Sequence, residues 1–177
     1  MIEVINIING YLEENCYIIK ANNKCLIVDP GSEGNRIINE IETLKLEVKG
    51  ILITHYHFDH IGALDEIKAK YKCDIYDYNC SDINKIDCFS FKKINNFGHT
   101  MDSCSFFFEK EKIMFTGDFV FYESIGKYDK ENEKEMIKSL KEFKKLDDDI
   151  IIYPGHGPSS NVGYEKNNNY FLRGIWC

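Results

Sequence analysis

The pattern of apolar and polar residues predicts a chain that alternates between strands and helices. Alternating or continuous apolar runs, rich in β-branched residues and bounded by turn-forming residues, predict strands over residues 2–8, 16–19, 24–28, 48–54, 73–76, 103–108, 112–116 and 149–153. Apolar residues at helical spacing predict helices over residues 32–46, 59–71 and 131–146. The polar stretch 79–87 is typical of a turn. Strands alternating with helices in two successive halves favour an α/β protein in which two sheets pack face to face with helices outside.

Length and composition are those of an ordinary globular protein. The chain has 177 residues, of which 44% are hydrophobic and 29% are charged, and no long linker or repeat interrupts it. We therefore expect one domain over residues 1–177. The seven cysteines are odd in number and form no C-x-x-C pair, so they favour reduced, core-filling side chains over disulfides or a thiolate zinc site.

Charge and hydropathy narrow the class of partner. The formal net charge is −7, and no lysine or arginine cluster lies on a periodic face, which argues against nucleic acid or an anionic membrane as partner. The first residues lack the features of a signal peptide, and the apolar runs are shorter than the roughly 20 residues that span a bilayer. We expect a cytoplasmic protein with a small-molecule substrate. The sequence leaves its oligomeric state and the role of Trp176 open.

The densest cluster of chemically active residues directly follows a predicted buried strand. His55, His57, Asp59 and His60 place three imidazoles and a carboxylate within six residues, where the chain turns toward a helix. Imidazole and carboxylate are ligands for zinc, iron and manganese, and ligands that alternate along an extended loop can face two adjacent ions. The cluster therefore predicts two metal sites.

Three later segments each add one potential ligand. They are Gly98-His99-Thr100, Gly117-Asp118 and Gly155-His156-Gly157. Taken alone, a histidine beside glycine is more often a loop residue, and Gly-Asp is usually a turn. Their value as metal ligands depends on their combination with the first cluster. Four nearby hydroxyl residues are candidates for holding the ligands in place: Thr54, Thr100, Ser103 and Thr116.

In this order, the four segments resemble the metallo-β-lactamase superfamily. The segment 153–158 together with 163–167, and residues 121–127, are similar to short bacterial glyoxalase II-like hydrolases. The resemblance implies a four-layer αββα sandwich. It also implies two divalent metal ions, with Zn²⁺ favoured and iron or manganese as alternatives. The ligands it implies are His55, His57 and His99 for one ion, Asp59, His60 and His156 for the other, and Asp118 as a bridge between them.

The chemistry that follows from this resemblance is hydrolysis of a small thioester or ester by a metal-bridging hydroxide. Asp59 and Asp118 have the catalytic roles, and Lys127 is expected to bind an anionic group of the substrate. An aspartate at position 118 favours the glyoxalase II-like arrangement over antibiotic hydrolysis. The C-terminal helical extension that supplies much of the glutathione site in full-length glyoxalase II is not recognisable, so the resemblance leaves the use of glutathione thioesters open and favours a remodelled or more open pocket.

Three alternatives remain open. A persulfide dioxygenase of the same fold uses a single iron with a subset of these ligands. A lactone or phosphodiester hydrolase uses the same nucleophile on another electrophile. A metal-stabilised binding module is the non-enzymatic alternative, although structural zinc sites are typically closed and rich in cysteine.

Overall fold

A computed structural model describes residues 2–174. Trp176 and one of the seven cysteines, Cys177, lie outside the described residues. The strands are β1 (Glu3–Asn9), β2 (Glu14–Ala21), β3 (Lys24–Val28), β4 (Glu47–Leu52), β5 (Ile75–Tyr76), β6 (Ile83–Ile86), β7 (Phe89–Asn95), β8 (Cys104–Phe108), β9 (Ile113–Gly117), β10 (Val120–Phe121), β11 (Ser124–Ile125), β12 (Ile151–Pro154) and β13 (Ser160–Asn161). The α-helices are α1 (Gly34–Thr43), α2 (Phe58–Ile61), α3 (Leu64–Tyr71), α4 (Glu133–Phe143) and α5 (Val162–Asn168).

These strands form two mixed sheets and a short hairpin. The first sheet has the order β1-β2-β3-β4-β5, with antiparallel pairs from β1 to β3 and parallel pairs from β3 to β5. The second sheet has the order β13-β12-β9-β8-β7-β6, in which only the β9–β12 pair is parallel. Strands β10 and β11 pair with each other as a separate hairpin.

Three layers of apolar side chains hold four layers of secondary structure together. Between the sheets, residues such as Leu26 and Leu52 pack against an aromatic group that includes Phe106 and Phe115. The outer face of the first sheet packs on α1 and α3, and the outer face of the second sheet packs on α4 and α5. The expected α/β fold, a four-layer αββα sandwich, is confirmed by this arrangement.

The central strands are apolar on both faces because each face has its own layer to fill. In β3, Cys25 and Ile27 face the helix layer, whereas Leu26 and Val28 face the second sheet. Successive side chains of a strand point to opposite faces, so a strand covered on both sides is a continuous apolar run. This explains why residues 24–28 show no alternation of apolar and polar positions.

Two predicted elements were wrong. The helix predicted over residues 59–71 is divided into α2 and α3, because the amide of Ala63 donates to the carbonyl of Pro30 instead of continuing the helical pattern. The turn predicted over residues 79–87 contains β6. This edge strand exposes Ile83 and pairs with only one neighbour, so its weak apolar pattern resembles that of a loop.

Cys16, Cys25 and Cys104 are buried as single hydrophobic side chains within the sheets. Within residues 2–174, none of the helices has the length and apolar character required to cross a bilayer.

Candidate metal centre

The predicted ligands meet at one edge of the sandwich because the strands that carry them end there. Strands β7, β9 and β12 run in the same direction within the second sheet. His99, Asp118 and His156 follow their carboxyl ends, and His55 follows β4 of the first sheet. Loops at the carboxyl edge of strands commonly hold functional residues. The topology thus brings four segments that are distant in sequence to one place.

Four side chains form a first group of potential ligands. The Nδ1 atom of His57 lies 3.1 Å from Nε2 of His55 and 2.9 Å from Nε2 of His99. Asp118 joins this group through Oδ2, which lies 3.6 Å from Nε2 of His99. All four ligand atoms lie within 4.8 Å of one another. Their spacing leaves room for one ion.

Three side chains form a second group beside the first. Oδ2 of Asp59 lies 3.2 Å from Nε2 of His156 and 3.9 Å from Nε2 of His60. Asp118 again lies at the border, with Oδ1 3.2 Å from Nε2 of His60 and Oδ2 3.7 Å from Nε2 of His156. Its two carboxylate oxygens therefore contact both groups.

The donor atoms fit divalent metal ions. A tetrahedral ion with bonds of 2.0–2.1 Å to nitrogen holds two ligand nitrogens about 3.3 Å apart, close to the separations observed here. Nε2 of His60 and Oδ1 of Asp118 are buried and have no hydrogen-bond partner among the described residues. Buried polar atoms normally have a partner, and a bound ion would supply it. The residues present thus fit a pair of ions that share Asp118.

Asp29 positions one of the potential ligands, and the sequence analysis did not select it. Its Oδ2 accepts a hydrogen bond from Nδ1 of His60 at 2.9 Å, and its two oxygens also accept from the amide and hydroxyl of Thr54. The hydroxyl of Thr54 additionally lies 3.1 Å from Nδ1 of His55. A signal was available in the sequence, because Asp29 follows the end of a predicted strand, as Asp118 does.

The other proposed supporting hydroxyls do not contact ligands. Thr100 and Ser103 hydrogen-bond to each other, and Thr116 donates to the carbonyl of Val120. They stabilise the loops that carry His99 and Asp118. Thr54 is therefore the one residue of the four that touches a ligand directly among the described contacts.

Backbone carbonyls orient two further imidazoles. Nδ1 of His99 donates to the carbonyl of Lys127 at 2.5 Å, and Nδ1 of His156 donates to the carbonyl of Leu12 at 3.0 Å. Each bond places the proton on Nδ1 and leaves Nε2 free to bind a metal ion. The contribution of Lys127 seen here is its backbone, and its side chain is exposed to solvent.

Glu14 is a second residue that the sequence analysis missed. Its side chain is 1% exposed, and its Oε1 lies 3.9 Å from Nδ1 of His60. Burial raises the pKa of Glu14 to about 10, despite the nearby imidazole. Neither carboxyl oxygen has a hydrogen-bond partner among the described residues. Glu14 lies in β2 opposite Asn9, where a glutamate at the end of a strand carries no signal of burial.

Two glycines allow the backbone to approach the centre closely. Gly117 has a φ of 51°, and a Cβ atom there would lie 2.3 Å from the hydroxyl oxygen of Thr54. A Cβ atom on Gly155 would lie 2.3 Å from Oδ1 of Asp118 and 2.6 Å from Cε1 of His60. The absence of a side chain at these positions therefore preserves the space between the ligands.

The electrostatic environment places His55 and Asp118 in the protonation states that metal binding requires. Burial, with a smaller contribution from the charge of His60, lowers the pKa of His55 to about 2, so this imidazole is neutral. Burial alone would raise the pKa of Asp118, but the close contact with His60 and the charge of that imidazole hold the pKa below its usual range. A neutral imidazole and an ionised carboxylate are the metal-binding forms.

Comparisons with known proteins agree with this architecture. A family model described as the Metallo-beta-lactamase superfamily matches residues 10–77 and 81–156. Hydroxyacylglutathione hydrolase GloC of Haemophilus influenzae is 32% identical over 90% of this chain and 93% of that protein. The crystal structure of the BLEG-1 B3 metallo-beta-lactamase superposes with a TM-score of 0.92 at 25% identity, covering 97% of this chain and all of that one. The crystal structure of TTHA1623 in a di-iron-bound form gives a TM-score of 0.86 at 26% identity, covering 95% of this chain and 100% of that one.

Proposed function

Because the chain belongs to the metallo-beta-lactamase superfamily, we propose that its seven-residue centre holds two divalent ions and hydrolyses a small thioester or ester. The relative named hydroxyacylglutathione hydrolase supports a metal-dependent hydrolase. The observation that carries the proposal is the position of Asp118, whose two oxygens contact both groups of ligands. Such a carboxylate is suited to bridge two ions.

Two bound ions lower the pKa of a water molecule that they share and polarise a carbonyl oxygen, which makes hydrolysis efficient near neutral pH. The chain supplies the geometry for this reaction. Asp59 is partly exposed, and its Oδ2 faces His156. Its other oxygen is available to hydrogen-bond the attacking water and to hold it in line with the substrate. The backbone carbonyl of Lys127 contacts His99, and its side chain is exposed. The ammonium group is therefore available to an anionic acyl group.

The types of ligand indicate which metal ions the centre would bind. Zinc suits a set of five imidazoles and two carboxylates, and iron and manganese bind the same donors. The di-iron form of the similar structure keeps iron as the main alternative.

We place the protein in the cytoplasm, because Cys16, Cys25 and Cys104 are buried singly, as expected in a reducing compartment.

Purified protein loaded with Zn²⁺, Fe²⁺ or Mn²⁺ tests the proposed reaction. The substrates are a thioester, an ester, a lactone, a phosphodiester and a β-lactam, and a persulfide is assayed with an oxygen electrode. We expect thioester or ester cleavage without oxygen consumption. Asp118→Ala should lose at least a hundredfold in rate, whereas Asp149→Ala on the surface should match the wild type. Persulfide-dependent oxygen uptake by a protein with one iron would support the dioxygenase instead.

A further inference from the structure

A cavity of about 440 Å³ lies beside the candidate metal centre. It is enclosed by the turn between β1 and β2, by residues 31–34 and by the segment that joins α2 to α3. Two of its lining residues also belong to the centre: Asp59 is a potential ligand, and the carbonyl of Leu12 orients His156. Its volume lies in the range of roughly 300–1,000 Å³ typical of small-molecule sites.

Large apolar side chains surround the cavity while remaining exposed to solvent. Tyr11 is 98% exposed, Phe58 is 74% exposed and Leu12 is 45% exposed, and all three line the cavity. Exposed apolar groups clustered around a concave site usually contact a ligand. Phe58 precedes Asp59 in the sequence, and the carbonyl of Leu12 contacts His156, so a molecule that contacts these residues lies beside the candidate metal centre.

The charged residues that line the cavity are all acidic. They are Glu33, Asp59 and Glu66. Arg36 pairs with Glu33 at 3.0 Å, and Asp59 belongs to the candidate metal centre, so Glu66 is the lining carboxylate without an ion pair among the described residues. Its negative charge disfavours an anionic ligand and tolerates a neutral one. Glutathione carries two carboxylates and one ammonium at neutral pH, so its net charge opposes entry into this cavity.

Asn9 adds a polar feature to the cavity wall. The residue is 1% exposed, and neither the oxygen nor the nitrogen of its side-chain amide has a hydrogen-bond partner among the described residues. A primary amide offers two donors and an acceptor, which match the acceptor and the donor of a substrate amide. An unpaired buried amide costs free energy that a ligand amide would recover.

We propose that this cavity binds the thiol arm of the substrate, and that this arm is an uncharged, amide-bearing chain of the pantetheine type and not glutathione. The inference rests on the proposed thioester hydrolysis. Asn9 recognises an amide of the arm, the exposed apolar residues cover its methylene groups, and Glu66 discriminates against carboxylates. The acyl carbon then lies at the centre beside Asp59, and the acyl group extends toward the side of His99.

Two thioesters with the same lactoyl group test this assignment, one of N-acetylcysteamine and one of glutathione. We expect kcat/KM to be at least ten times higher for the uncharged thioester. Glu66→Gln should raise kcat/KM for the glutathione thioester severalfold and leave kcat/KM for the uncharged thioester within twofold. Glu109→Gln, in the turn between β8 and β9, is the matched control and should change neither.

Variants at the cavity wall test the amide and the apolar contacts. Asn9→Leu should raise KM for the uncharged thioester about tenfold, and it removes an unpaired buried amide without enlarging the core. Tyr11→Ala should raise the same KM several times, and folding is not in question because the side chain is almost fully exposed. Tyr170→Ala, an exposed aromatic outside the cavity, is the control and should have no effect.

Binding measured without turnover separates this inference from the proposed function. Calorimetry of the metal-loaded protein uses the S-methyl thioether of N-acetylcysteamine and S-methylglutathione, which have no thiol to ligate a metal. Asn9-dependent binding of the uncharged thioether in a protein that cleaves no thioester would contradict the proposed hydrolysis and retain the cavity assignment. Equal cleavage of both thioesters with no effect of Asn9→Leu or Tyr11→Ala would overturn the assignment and leave the hydrolase intact. Failure of the uncharged thioether to bind would also overturn it.

Discussion

Oδ2 of Asp29 lies 2.9 Å from Nδ1 of His60, and this contact aims the opposite nitrogen of the ring at Asp118. Both side chains of the pair are almost completely buried. A carboxylate on the distal nitrogen of a metal-binding histidine fixes the tautomer and increases the basicity of the ligand. Asp29 thus joins β3 to the candidate metal centre by holding one of the potential ligands.

Asp29→Asn is expected to weaken metal binding about 10- to 100-fold, the range found when such partners are removed. The amide cannot supply the negative charge that His60 contacts, and it accepts fewer hydrogen bonds from Thr54. Competition with a chromophoric chelator measures the affinity. Asp87→Asn, at an exposed carboxylate paired with Lys24, is the control and should bind metal normally. Unchanged affinity of Asp29→Asn would show that the contact does not support the ligand.

Gly155→Ala should lower the metal content by at least one ion per chain while the fold is retained. The added Cβ would lie 2.3 Å from Oδ1 of Asp118, so this carboxylate or the loop that follows β12 must move. Gly50→Ala is the control, because the nearest atom to its Cβ belongs to the side chain of Tyr76 at 3.1 Å. Elemental analysis and circular dichroism report the two properties. Full metal content in Gly155→Ala would contradict the close packing described here.

Lys127→Met separates the two contributions of this residue. The variant keeps the carbonyl that accepts from His99, so metal content should match the wild type. Loss of the exposed ammonium should raise KM about threefold to fivefold for a substrate with a carboxylate in its acyl group, since exposed charges contribute little. KM for an uncharged acyl group should not change. A loss of metal from Lys127→Met would assign the side chain a structural role.

Glu14→Gln should make the metal-free protein less sensitive to rising pH. Burial raises the pKa of Glu14 from 4.5 to about 10, so between these values the folded state binds a proton that the unfolded state has released. The free energy of unfolding of the wild type therefore falls as the pH rises through this window, by at most about 1.4 kcal/mol per pH unit from this group. The variant, which resembles the neutral form, should gain in Tm relative to the wild type from pH 5.5 to pH 8.5. Parallel pH profiles of Tm would contradict the assigned protonation state.

The residues that meet at the candidate centre could be selected from the sequence, because the segments that carry them follow strands whose apolar pattern is easily recognised. His55, Asp118 and His156 are examples, and a fixed order of short motifs connects them to a known family. The fold class followed from the same strands. Contacts between segments that are distant in sequence, such as Asp29 with His60, are not marked by an apolar pattern of this kind.

Asp29 and Glu14 show why those contacts were missed. Asp29 lies in a local sequence typical of a turn, and its partner His60 is 31 residues away. The burial of Glu14 depends on the second sheet, where an isolated bridge joins its backbone to His156. The break between α2 and α3 likewise depends on a carbonyl of Pro30 that no helical periodicity indicates. Tertiary packing decided each of these features.

The number of metal ions bound per chain tests the central claim most directly. Native mass spectrometry of the purified, zinc-loaded protein can count them without reference to any substrate. We predict two ions per chain in the wild type, with a loss of at least one ion in Asp118→Ala because its carboxylate contacts both groups of ligands. A wild-type protein that binds a single ion at saturating metal, or an Asp118→Ala variant that retains two, would contradict the dinuclear centre.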